Sequence, residues 1–208
     1  MDVNEHTIAT YDNIAKGFFE KRKSDDNFFL EEFNLFVKTA RGKKVIDLGC
    51  GTGRGANLFL ENGFDYAGID ASRGMLELAK SRFATANFLQ MDFYGLNFPS
   101  STFDCFWAAN SLLHVPKSKI NQVLDSIGGI LKAGGVGFIS LKPKGDMSEG
   151  FIEDDLYGEK ISRYFAFYGE DEFSKVLEAS NFSVLDVHEK VHPEFGGYYL
   201  CFLVEKGV

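Results

Sequence analysis

The 208-residue sequence predicts one α/β domain on a doubly wound, mostly parallel seven-stranded sheet. Three observations lead there. From Lys44 to Leu141, short apolar runs alternate with amphipathic helical segments, as parallel strands joined by helical crossovers require. Glycine-containing turns close the helices. The length suits one complete core and is short for two.

The elements follow in order. Ile8, Tyr11, Ala15, Phe18 and Phe19 share one helix face, and Phe29, Phe33, Phe36, Val37 and Ala40 share another. Ser24-Asp25-Asp26 between them reads as a turn and N-cap. Val45–Leu48 is the first strand, and the helix from Arg54 to Glu61 ends at Asn62-Gly63. Tyr66–Ile69 is the second strand. Ser72 caps a helix to about Phe83, with Met75, Leu76, Ala79 and Phe83 inward. Asn87–Gln90 and Phe103–Ala108 are strands three and four. Ile120, Val123, Leu124, Ile127 and Leu131 mark a helix, and Gly134-Gly135 leads into strand five, Val136–Leu141. Lys142–Ser162 reads as a long irregular loop, a functional or mobile kind of segment. A last helix from Gly169 turns Phe173, Val176, Leu177 and Ser180 to one side. Strands Ser183–Val191 and Tyr198–Val204 follow, joined by a hairpin loop at His192–Gly197.

Composition narrows the partners. The formal charge of −8 disfavours a long nucleic acid or an anionic membrane. Lys21-Arg22-Lys23 reads as a solvated helix end. No basic-flanked apolar leader and no apolar run of about 18 residues is present, so neither a signal peptide nor a membrane span is expected. Three isolated cysteines suggest a reducing compartment, and the expected location is cytoplasmic. The 22 phenylalanines exceed what surface use explains, so most are expected in the core and some around an apolar cavity.

The stretch VIDLGCGTGRGA, Val45–Ala56, carries the chemistry. A glycine-rich turn at the carboxyl end of the first strand of such a sheet marks a ligand crevice. A phosphate-cradling P-loop needs a lysine, and Gly49–Gly63 contains none. A dinucleotide fingerprint fits Gly51, Gly53 and Ala56, with Asp70 as the ribose acid, but it leaves Asp47 and Gly49 without a role. Asp47, Gly49, Gly51 and Gly53 fall at every second position, and acids recur as Asp70 and Asp92 after strands two and three.

This pattern resembles the acid-x-Gly-x-Gly-x-Gly signature of class I S-adenosylmethionine-dependent methyltransferases, whose fold is Rossmann-like. The resemblance runs from about Tyr11 to the end, and Lys44–Leu141 is its most specific part. It implies an antiparallel last strand and three functional regions: an N-terminal helical lid (1–40), a cofactor-binding core (44–142) and a substrate-side segment with last helix and closing hairpin (143–208). It implies a small-molecule substrate and places Tyr11, Asp47, Gly49, Cys50, Gly51, Gly53, Asp70, Ala71, Met75, Met91, Asp92, Phe93, Ala108 and Asn110 around the cofactor. Asp47 would answer the methionine ammonium, Asp70 the ribose hydroxyls, Asp92 and Phe93 the adenine, and the Ala108 carbonyl the ammonium. An acid beside an ammonium is favourable, whereas beside a pyrophosphate it is repulsive. The glycines would let the cofactor approach backbone closely.

Asn110-Ser111-Leu112-Leu113 stands where adenine amino-methyltransferases carry two prolines and an aromatic, which argues against a nucleobase amine. His114 is the candidate general base; the competing reading is a structural histidine bonded to backbone. His6, His188 and His192 have no supporting context, and no ligand spacing suggests a metal. Arg163, Tyr164, Phe167 and Tyr168 read as strand packing, with an anionic or aromatic substrate contact as the alternative. Open alternatives for function are a nicotinamide-dependent oxidoreductase, a non-catalytic S-adenosylmethionine-binding module and a protein methyltransferase.

Overall fold

The structure, a computed structural model, describes residues 2–25, 27–193 and 197–208. Two helices, α1 (Val3–Arg22) and α2 (Leu30–Thr39), precede a βα alternation: β1 (Lys44–Leu48), α3 (Ala56–Glu61), β2 (Asp65–Asp70), α4 (Arg73–Arg82), β3 (Asn87–Gln90), β4 (Phe103–Ala109), α5 (Ile120–Ile130) and β5 (Leu131–Pro143). The chain then forms β6 (Glu149–Asp154), β7 (Ile161–Tyr168), α6 (Glu170–Ala179), β8 (Phe182–Val191) and β9 (Tyr198–Lys206). The main sheet runs β3-β2-β1-β4-β5-β9-β8, and β9 alone runs opposite to the other six strands. Strand order reverses between β1 and β4, where a doubly wound sheet opens its ligand crevice.

The expected seven strands and antiparallel last strand are present, and the structure adds two more. The segment read as an irregular loop contains β6, which pairs in register from Glu149↔Ala166 to Asp154↔Ile161 with β7, the stretch whose aromatic residues read as strand packing. β7 joins the far end of β5 through Lys142↔Phe167 and Pro143↔Tyr168. The exposed residues alternate along β6, but Pro143, Gly145, Gly150 and Gly158 in this segment masked the strand signal. Leu131, read as the end of a helix, is instead the first residue of β5. The N-cap of α2 is Phe29 rather than the Ser24–Asp26 cluster, of which Asp26 lies outside the described residues. Asp25 binds Arg22 instead (3.2 Å), so Arg22 turns inward rather than out to solvent. The hairpin loop expected at His192–Gly197 also falls partly outside the described residues, at positions 194–196.

Apolar side chains lie on both sheet faces. One side joins α5 and α6 through Val123, Leu124, Ile127, Phe173 and Leu177. The other packs α2 and α3 over β1 and β4 through aromatic rings: Phe33, Phe36 and Phe59 meet Trp107 edge-on, and Trp107 stacks on Phe138 at 4.0 Å. Such ring pairs add about 0.5–1.5 kcal/mol each beyond the buried area. Much of the phenylalanine excess is spent here, on holding the N-terminal segment to the sheet.

Candidate functional site

The turn after β1 is built by backbone. Gly49 N and Cys50 N both donate to the Ile69 carbonyl (2.8 and 2.9 Å), and Gly53 N donates to Cys50 O (2.9 Å). Gly49, Gly51 and Gly53 have φ of +72°, +54° and +74°, a region that favours glycine. Their surroundings differ. A Cβ on Gly49 would collide with Ser111 Cβ at 2.5 Å, and one on Gly53 would press on Phe88, Ala79 and Phe83 at 3.2–3.3 Å. A Cβ on Gly51 would meet no protein atom within 4 Å. Gly51 therefore lies beside open space, while the missing Cβ at Gly49 and Gly53 lets the loop pack on the protein. Cys50 and Met75, also expected around the cofactor, are buried (8% and 2% exposed).

Asp47 sits below this turn at the end of β1, 4% exposed, and its Oδ2 accepts from the Tyr66 hydroxyl at 2.8 Å. Burial pushes its pKa up to about 7 against the lowering bond from Tyr66, with Asp70 pushing it further up and Arg54 pulling it down. A buried acid held this way is suited to a cationic ligand group. Asp70, at the end of β2, accepts from Gly51 N through Oδ2 and from Ser72 N through Oδ1, both at 2.8 Å. Each oxygen keeps a lone pair for a hydroxyl donor. Burial raises its pKa to about 6, while the two backbone donors oppose the rise. Ala71 O accepts from Gln90 Nε2, and Met91 N donates to Asp70 O, so both residues brace the turn after β2.

Asp92 caps the short turn at Phe93–Gly95 through Tyr94 N (3.1 Å), and its other oxygen accepts from Asn4 of α1. The acid expected to receive an adenine amine is thus held by an amide from the N-terminal helix. The Phe93 ring edge lies 3.5 Å from the Cβ position of Gly49, beside the turn. Ala108 is buried within β4, opposite Ile139 of β5. Asn110 follows that strand at φ +56°, and Ser140 Oγ accepts from its N–H and donates to its Oδ1, each at 2.8 Å. A non-glycine residue kept in this region marks a site where the surroundings override the local preference.

His114 is reached by two partners. Its Nδ1 lies 2.6 Å from the Tyr164 carbonyl, which can only accept, so Nδ1 carries the proton and Nε2 accepts from the Tyr11 hydroxyl at 2.8 Å. Burial lowers its pKa to about 3, opposed by the Tyr164 carbonyl and helped by Arg163. The tyrosine oxygen in turn accepts from Arg163 Nη1 at 3.2 Å. Arg163, buried and bonded to Asp154, lies 5.3–5.5 Å from the ring centres of Tyr11, Tyr157 and Phe165. The imidazole, read from the sequence as either a candidate base or a structural histidine bonded to backbone, is therefore neutral, with its basic nitrogen occupied.

Several residues of the site lay outside the sequence expectation. Asp12 of α1 accepts from Ser72 Oγ (2.7 Å) and Gly74 N (2.9 Å), adding to the cap that Ser72 gives α4 through Met75 N. With Asn4 on Asp92 and Tyr11 on His114, this fastens α1 across the crevice at three points. Ser111 Oγ, buried beside Gly49, has no hydrogen-bond partner among the described residues. Only Tyr66 had a usable signal, since it shares a sheet face with the residue paired to Asp47, Gly68. A separate groove of about 330 Å³ between α1 and the hairpin is lined by His6, Thr10, Asn13, Glu153, Lys160 and Ser162, none from the glycine turn.

Residues 45–135 match the family described as "Methyltransferase domain". The methyltransferase GfsG of Streptomyces halstedii is 28% identical over 60% of this chain and 49% of its own length. The O-methyltransferase rstn1 of Aspergillus nomiae is 30% identical over 58% of this chain and 59% of its own. The chain thus spans about half the length of the curated relatives it matches. Among solved structures, the 1,6-didemethyltoxoflavin-N1-methyltransferase of Burkholderia thailandensis, with its substrate and S-adenosylhomocysteine bound, aligns over 100% of this chain and 92% of its own at 19% identity, with a TM-score of 0.77. The [4+2]-cyclase SpnF also aligns, at 18% identity over 86% of this chain and 80% of its own, with a TM-score of 0.66. Identities this low establish the fold alone.

Proposed function

We propose that this chain is a class I S-adenosylmethionine-dependent methyltransferase and transfers a methyl group from S-adenosylmethionine to a small-molecule acceptor, a reading supported by the methyltransferase-domain match and the methyltransferase relatives. The observation that carries the reading is the pairing of two acids with one open glycine. Asp70 is held by Gly51 N and Ser72 N beside the unobstructed Gly51, and Asp47 lies buried beneath the same turn. Two carboxylates suit a ligand with hydroxyls and an ammonium, and they would repel a pyrophosphate. The partnerless Ser111 Oγ adds a buried polar group beside the turn that a bound ligand would satisfy.

The cofactor supplies a sulfonium-activated methyl group that an acceptor displaces in line. The protein's part is to bind, orient and exclude water. Asp70 takes the ribose hydroxyls, Asp47 the ammonium through a direct or water-mediated contact, and Phe93 one face of the adenine. Asn110, in its strained turn, fixes the end of β4 toward the reacting group. Tyr11, held between Arg163 and His114, is a polar group on α1 that faces the same end. His114 holds Tyr11 in place and does not take the acceptor's proton while that bond persists, so the reading favours an acceptor that arrives deprotonated or as a neutral amine.

Residues 1–40 act as the lid. Support comes from the latches Asn4–Asp92, Asp12–Ser72 and Tyr11–His114, which α1 must loosen for Asp92 to receive an adenine amine. The net charge of −8 supports an acceptor other than a long nucleic acid. Three free cysteines support a cytoplasmic location, and among the described residues no helix is long and apolar enough to cross a membrane.

Calorimetric titration tests the cofactor. Micromolar binding of S-adenosylmethionine or S-adenosylhomocysteine without NADH or NADPH binding is expected, and the reverse sinks the proposal. Turnover of labelled methyl groups across thiol, amine, hydroxyl and carboxylate acceptors then tests catalysis.

A further inference from the structure

On the side of the sheet covered by α2, three donors that are remote in sequence converge. Glu32 comes from the first turn of α2, and His188 and Cys201 pair directly across β8 and β9. A carboxylate oxygen, an imidazole nitrogen and the thiol sulfur all lie within 4.8 Å of one another. Glu32 and Cys201 are buried (4% and 1% exposed), while the His188 side chain is 40% exposed and gives a path from solvent. We propose that Glu32, His188 and Cys201 form a binding site for a borderline-soft divalent cation, with zinc the best fit, and that it is independent of the methyl-transfer crevice.

Four features support it. First, the donor set of carboxylate, imidazole and thiolate is the chemistry zinc takes, and three protein ligands leave a fourth position for water. Second, the histidine is already oriented. Its Nδ1 lies 2.9 Å from Asp186 Oδ2, which directs Nε2 toward Glu32 Oε1 at 3.0 Å. A carboxylate behind the ligating imidazole is the usual outer partner of a zinc-bound histidine. Third, a cavity of about 10 Å³ is lined by Glu32, Asp186, His188 and Cys201 together with Leu35 and Phe138. That is near the volume of one water-sized particle. Fourth, the charges are compatible. Lys190 Nζ lies 2.9 Å from both oxygens of Glu32. It can keep Oε2 while Oε1 turns to the metal.

The distances require a modest adjustment. Zinc bonds of about 2.0–2.3 Å in a tetrahedron set donor separations of roughly 3.3–3.6 Å. The 3.0 Å Nε2–Oε1 contact must widen slightly, and the sulfur must be approached by rotation of the half-exposed imidazole. Binding releases the thiol proton of Cys201, and any proton on His188 Nε2, to solvent. The bound ion would tie α2, and with it the N-terminal segment, to the closing strands.

Cobalt(II) substitution tests this on the whole protein after chelator treatment. The expected result is one equivalent of Co²⁺ with a thiolate-to-metal charge-transfer absorption, displaced by Zn²⁺. The band should vanish in Cys201→Ser and persist in Cys105→Ser, which alters another buried strand cysteine. Asp186→Ala should weaken zinc about 10–100-fold while leaving the band. If Cys201→Ser does not fold, as judged by circular dichroism, His188→Gln decides, since its side chain is largely at the surface. It should lower zinc affinity at least about tenfold, as loss of a direct ligand should cost no less than loss of its outer partner. Absence of the band in the native chain, its survival in Cys201→Ser, or unchanged zinc affinity in His188→Gln would each overturn the proposal and leave an ion-pair network joining α2 to β8.

Discussion

Replacing Asp47 with asparagine should strengthen the fold and weaken cofactor binding, two effects of opposite sign from one atom change. Burial raises the carboxyl from its ordinary value of 3.8 to about 7. The folded state therefore holds a proton that the unfolded chain gives up between these values, and stability falls as pH rises from about 4 to 7. The shift of about three units corresponds to at most about 4 kcal/mol at pH 8, at 1.36 kcal/mol per unit. At pH 5.5 the same relation leaves only about 2 kcal/mol. Asparagine carries no charge and still accepts from Tyr66, so its packing offset is common to both pH values. Its stability relative to the native chain should rise by about 2 kcal/mol from pH 5.5 to 8. In thermal unfolding this is a change of roughly 4–8 °C for a chain of this size. Asp70 remains in both proteins, so its own titration largely cancels. S-adenosylhomocysteine, which keeps the ammonium, should bind the native chain more tightly as pH rises through 7 and bind Asp47→Asn weakly and without that rise. A stability gain independent of pH, or equal affinity in the two proteins, would refute the placement of a buried, titrating acid under the glycine turn.

Other substitutions probe the same crevice. Asp70→Ala removes two charge-assisted contacts to the ribose and should cost about 2–4 kcal/mol of S-adenosylmethionine affinity by calorimetry; unchanged affinity would mean the crevice is wrongly placed. Gly51→Ala should fold with a penalty of about 1–2 kcal/mol for its positive φ, yet bind the cofactor poorly because the new methyl points at the ligand. Gly49→Ala should instead destabilise the fold itself, since its Cβ meets Ser111 at 2.5 Å, and a denaturant series on the two variants separates the roles. The pH dependence of kcat/KM should show no histidine step near 6.5, because His114 stays neutral down to about 3. A step near 6.5 abolished by His114→Gln would restore the imidazole as a general base.

Much of this was legible in the sequence because it is written in local period and local chemistry. Alternation of apolar runs marked β1 to β5, and Ser72 announced the cap of α4, which Met75 N confirms. β6 escaped because Pro143 and the glycines around it mimic a loop, and the place of β7 in the sheet follows only once β5 supplies a partner for Phe167 and Tyr168. The choice between the two readings of His114 stayed open for a related reason. Whether an imidazole is a base depends on what occupies its nitrogens, and Tyr11 and Tyr164 are 103 and 50 residues away.

By itself the sequence determined the α/β class, the glycine turn after the first strand, and the acids Asp47, Asp70 and Asp92 that follow three successive strands. Backbone geometry and strand ends are set by neighbouring residues, so a one-dimensional pattern carries them. Only the tertiary structure decided that Gly51 alone of the three faces open space, that Asp47 is paired with Tyr66, that α1 is latched onto the crevice, and that Glu32, His188 and Cys201 meet. Those facts depend on desolvation and on contacts between residues as remote in sequence as Glu32 and Cys201. Neither leaves a periodic trace, because burial and proximity are properties of the packed sheet and helices rather than of any segment within them.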